Sequence, residues 1–167
     1  MERSKQHSHT EMSTILQLDY RLSDVWNDKT SQADLATVDE MTLRYELLLG
    51  DVILKAEDMD FSARWGWVPV LDFAASVRQI AEQLTESDGI EANFDFTESN
   101  AEIFFKRRGN LILISTNYAS GEVQISLTEF GAAIADFVSR VAKELSRLYP
   151  SLTQNIWFHR MFPTSSK

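Results

Sequence analysis

Two tryptophans separated by a glycine, Trp65-Gly66-Trp67, follow Arg64 and precede Val68-Pro69, and of all the residues in this chain they are the best suited to recognition chemistry. If the backbone there is extended, both indoles point to one side, beside a guanidinium and the start of a helix. Two readings fit that spacing. In one, the rings plug the end of the core where a hairpin hands over to the helix. In the other, one ring is exposed and anchors a partner, because tryptophan and arginine are enriched at binding hot spots. Glu57, Asp58 and Asp60 lie just upstream and would supply the polar rim of such a site.

Catalytic chemistry has thinner support. Beyond the first dozen residues there is one histidine, His159, and it follows Trp157-Phe158, where packing accounts for it. His7 and His9 have metal-ligand character but sit in a polar stretch with no period. There is no Gly-x-Ser-x-Gly, no glycine-rich phosphate loop and no His-Glu-x-x-His. The absence of cysteine removes thiolate nucleophiles, thiolate metal sites and disulfides. Carboxylate pairs such as Glu57 with Asp60, or Asp95 with Glu98, would act as acid and base only if the fold brought them together. Asp58-Met59-Asp60 lacks the spacing of a calcium loop. No catalytic residue, metal or cofactor is expected.

Charge narrows the partners. Of the formal −9, residues 11–100 carry nineteen acidic and six basic groups, whereas residues 101–167 carry five and eight. A field of that sign repels phosphate backbones, which argues against nucleic acid and favours a basic protein partner. The same acidity also serves plain solubility. The apolar runs are too short to span a bilayer, and residues 1–14 lack the pattern of a signal peptide, so a cytoplasmic protein is expected.

The elements that must position these residues follow from periodicity. With 167 residues, 44% of them apolar and 11% aromatic, the chain has material for one core. Residues 1–12 read as a disordered leader. Leu16, Leu18, Tyr20 and Leu22 alternate as in a strand, and 24–39 reads as a polar loop. Leu43, Tyr45, Leu47 and Leu49 alternate again, Gly50-Asp51 reads as a turn, and Val52, Leu54 and Ala56 complete a β-hairpin. The period then lengthens. Val70, Phe73, Val77, Ile80 and Leu84 form the stripe of a helix that stops near Ser87-Asp88-Gly89.

Four strands follow at 92–97, 101–107, 111–118 and 122–127, the middle two separated by Arg108-Gly109-Asn110. Ser126 and Glu129 have the spacing of a capping box before a second helix carrying Phe130, Ile134, Phe137, Val141 and Leu145, with close packing expected at Gly131. The order predicts an α+β fold: one mostly antiparallel sheet of six or seven strands with two amphipathic helices on one face. The domain spans 13–150, and 151–167 is an apolar tail folded back on it. Phe104, Ile112, Ile114 and Tyr118 are assigned to the second sheet face, where something must cover them.

The stretch from Asp60 to Phe73, with its Phe61-Ser62-Ala63-Arg64-Trp65-Gly66-Trp67-Val68-Pro69 core, resembles one found in small acidic bacterial proteins, largely actinobacterial, that form a family of unknown function. Tyr45 to Val52 and Phe96 to Ser99 are similar as well. The resemblance implies a bacterial cytoplasmic protein and carries no activity or cofactor with it. The expected function is non-catalytic protein binding, most sharply an immunity-type protein that neutralises a basic toxin. The alternatives are self-assembly, as a homodimer through the Phe104 face, and a small-molecule binder or enzyme with a pocket near Arg64, Trp65 and Trp67.

Overall fold

The computed structural model describes residues 15–163. The expected leader therefore lies outside the described residues. The chain is α+β, but the eight strands among the described residues form two antiparallel sheets of four, in place of a single sheet of six or seven. In the first, β1 (Leu16–Leu22) pairs with β2 (Leu49–Ala56), whose other edge is shared by the short β3 (Met59–Asp60) and by β4 (Ala63–Pro69). In the second, β5 (Glu91–Asp95), β6 (Glu102–Arg108), β7 (Leu111–Thr116) and β8 (Glu122–Ser126) run as a meander. A short helix, α1 (Asp28–Gln32), lies in the loop that follows β1.

The two long helices join the sheets. Helix α2 (Val70–Glu86) contacts β2, β4 and β5, α3 (Leu127–Leu148) contacts β1, β7 and β8, and the helices contact each other. Their apolar stripes, anticipated from the period, enclose one core containing Phe73, Phe130 and Phe137 with both sheets. The Ser126 hydroxyl accepts from the Glu129 amide at 3.1 Å, the cap its spacing predicted. Gly131 is different: a Cβ there would meet nothing within 4 Å, so no close packing requires it.

The largest departures lie between residues 39 and 51. Residues 42–46 form a π-helical turn in place of the expected strand, started by Asp39, whose carboxylate accepts from the Thr42 amide at 2.8 Å. That bond holds the Asp39 pKa below its ordinary value. Leu43 and Leu47 are buried four residues apart, a spacing that helix and strand alternation share. Gly50 is no turn: it sits inside β2 between Leu22 and Val68, where a Cβ would lie 2.0 Å from the Arg21 carbonyl oxygen. Only glycine fits this close approach of three backbones.

After α3, a 3₁₀ turn (Pro150–Gln154) leads to α4 (Ile156–Met161). Phe158, Met161 and Phe162 join the core, and the buried Asn155 amide donates to the carbonyls of Leu35 and Val38 while its oxygen caps α4 through the Trp157 and Phe158 amides. His159 faces the backbone oxygen of Thr153.

Candidate functional site

Strand β4 is irregular where its tryptophans lie. Its pairing with β2 slips between Gly50 and Val52, so that residues 64–67 bulge opposite Asp51. Gly66 takes a φ of +78°, which favours glycine, and its amide donates to the Asp51 carboxylate at 2.8 Å. On this bulge Trp65 and Trp67 stack, with ring centroids 5.2 Å apart and planes 20° from parallel. Trp65 also meets Phe96 and Tyr118 edge-on at 4.9 and 5.5 Å, and packs against the core. The two rings therefore differ in role, with Trp65 a half-buried plug and Trp67 a second layer laid on it.

A third indole lies against the bulge at Gly66. A Cβ on Gly66 would come within 3.2 Å of Trp26, whose ring occupies the space a side chain would need. Trp26 is 54% exposed and its neighbour Val25 76%. Polar braces hold them outward: the Ser23 hydroxyl accepts from both their amides, and the Asn27 side chain donates to the carbonyls of Ser23 and Leu49 while accepting from the Leu49 amide. Thr30 bonds the Asn27 oxygen and in turn accepts from the Leu48 amide, fixing Leu48 at a φ of +55°. This loop is ordered by its own hydrogen bonds, not by burial of the side chains it presents. Exposed Asp24 and Asp28 flank it.

The polar candidates divide. Asp60 pairs with Arg64 at 3.0 Å, each side chain about half exposed. Hydrogen bonds from the Ser62 side chain and amide, with the guanidinium added, bring the Asp60 pKa down to about 2. Tyr118 donates to the Phe61 carbonyl at 2.6 Å, and burial together with the Asp60 charge pushes its pKa up. Asp60, Arg64, Trp65, Trp67 and Tyr118 are thus brought together around β4. Glu57, at a φ of +53°, and Asp58 form the exposed β2–β3 turn beside them, and Met59 of β3 packs on Gly121 of the β7–β8 loop.

The assignment of Phe104 with Ile112 and Ile114 is overturned. Ile112 and Ile114 are fully buried on the inner face, opposite Arg107 and Phe105, while Phe104 points outward at 38% exposure and pairs with Ser115. The reason is one residue of register. A three-residue Arg108-Gly109-Asn110 turn would set Phe104 against Ile114. The chain instead pairs Arg108 with Leu111 across a two-residue turn in which Gly109 has a φ of +62°, and every side chain changes face. Tyr118 likewise belongs with Trp65. Around Phe104 the outer face is a shallow depression of about 490 Å³ with Asn93, Ser115, Glu122 and the Glu91–Lys106 ion pair.

Among the described residues no group of three or more histidine, aspartate or glutamate side chains is placed to hold a metal ion. No helix among them is long and apolar enough to cross a membrane. No family model matches the chain, and neither a curated protein nor a solved structure does.

Proposed function

We propose that this chain is a non-catalytic protein-binding module whose β4 face, led by Trp26, takes a basic protein partner. The observation that carries the reading is the presentation of Trp26: a large indole half out of water, in a loop braced by Ser23 and Asn27, seated against Gly66 and flanked by Asp24 and Asp28. An aromatic centre with a carboxylate rim suits a cationic surface, because charge complementarity speeds encounter while the buried ring sets residence time. The sharpest form is immunity-type neutralisation of a basic toxin inside a bacterial cytoplasm. Membership of the acidic bacterial family belongs to the same proposal, since the resembling segment is the one that builds this face.

The test is capture of a partner from the source organism, followed by association kinetics. Changing Glu57, Asp58 and Asp60 together to their amides should slow association and flatten its salt dependence, leaving dissociation little changed. An unchanged on-rate and salt slope would remove the electrostatic half of the proposal. Self-assembly is a second reading, favoured by Phe104 and Leu111, 38% and 41% exposed on the outer face of β5–β8. A concentration-dependent dimer abolished by Phe104→Ser would establish it. The small-molecule reading near Arg64 has less to draw on, because that guanidinium already faces Asp60.

A further inference from the structure

On a different surface, three arginines converge in a chain whose net charge is −9. The π-helical turn supplies Arg44, α2 supplies Arg78 and α4 supplies Arg160, and together they line a cleft of about 310 Å³ with Trp157 and Glu40. The lining carries three formal positive charges and one negative. Arg44 is fixed by the buried Asp72, which accepts from its Nε at 2.6 Å, and by Ser76 at 3.3 Å. Burial pushes the Asp72 carboxyl up while Arg44 pulls it down. Arg78 bonds Glu82 through one terminal nitrogen, yet its buried Nε has no hydrogen-bond partner among the described residues.

Arg160 is the decisive member. Its guanidinium lies over the Trp157 ring, 4.6 Å from the centroid, and makes no hydrogen bond or ion pair with the described residues. Stacking on an indole fixes the plane of a guanidinium while leaving its donors free, the arrangement that suits bidentate recognition of an oxyanion. Asp72 and Glu82 answer Arg44 and Arg78, which leaves Arg160 as the guanidinium with no bonded carboxylate among the described residues, a charge that an anion would offset. We propose that this cleft binds a small molecule bearing a phosphate or carboxylate group, with Arg160 as the principal contact. Its volume matches a compact metabolite. The inference is independent of the partner-binding face.

Calorimetric titration of the full chain with pyrophosphate and, separately, with succinate tests it and tells the two chemistries apart. Saturable one-to-one binding of either probe is expected, weakened about tenfold or more by Arg160→Gln and unchanged by Arg108→Gln, which removes an exposed arginine at the end of β6. Circular dichroism of both variants should match the parent. Absence of saturable binding to both probes would overturn the proposal, as would equal weakening by both variants or none by Arg160→Gln.

Discussion

Trp26 and Phe104 are both apolar side chains left in water, and their surroundings differ. Phe104 faces outward because strand alternation puts it there, and polar neighbours close around it: Asn93 and Ser115 directly across the ladder and the Glu91–Lys106 pair alongside. Trp26 belongs to no strand or helix. Its amide donates to Ser23 in a loop that Asn27 braces, and it is seated over Gly66, whose lack of a side chain leaves room for its ring. One exposure is a by-product of a pleat, and the other is constructed. Preorganisation of the second kind lowers the ordering cost of binding, and the proposed interface rests on it.

That contrast can be broken most forcefully through Trp65, the half-buried ring on the same bulge. Trp65→Ala should cost about 3 kcal/mol of stability in urea unfolding, because it removes a core-packed indole with three aromatic contacts. Trp26→Ala should leave stability within about 0.5 kcal/mol and weaken partner binding by about 2 kcal/mol or more, roughly thirtyfold. Asn27→Ala should cost about 1–2 kcal/mol, since it frees the Leu49 amide and the Ser23 carbonyl, and should weaken partner binding as well.

A smaller effect concerns acidity. With its pKa held near 2 in the folded chain, Asp60 contributes stability that is present above the ordinary carboxylate range and is lost as pH falls from about 4 toward 2. Asp60→Asn should therefore show a shallower loss of stability over that window, and matched pH series of thermal unfolding would measure it. Phe104→Ser should be the mildest, with stability and partner affinity both nearly unchanged. A loss of partner binding there would erase the distinction between the two faces.

Much of this was legible in the sequence. The stripes of α2 and α3, the succession of four strands between them and the Ser126 cap are local signals, and each appeared where its residues placed it. Periodicity assigns a side chain to a face, however, and does not say to which sheet a strand belongs, so two sheets sharing one core read as one. The Phe104 error shows how little separates the faces, since a turn shorter by one residue moved Ile112 and Ile114 into the core. Trp26 was missed for another reason. Its loop has no period, and its order comes from Ser23, Asn27 and Thr30 bonding to backbone that is distant in sequence, as at Leu48 and Leu49.

The most direct test is a side-by-side capture with the parent chain and Trp26→Ala, matched for stability, at low and high salt. A basic protein retained at one-to-one ratio by the parent, released by salt and lost with Trp26→Ala is the result expected of the β4 face. A partner held equally well by Trp26→Ala, or none held by the parent, would contradict it.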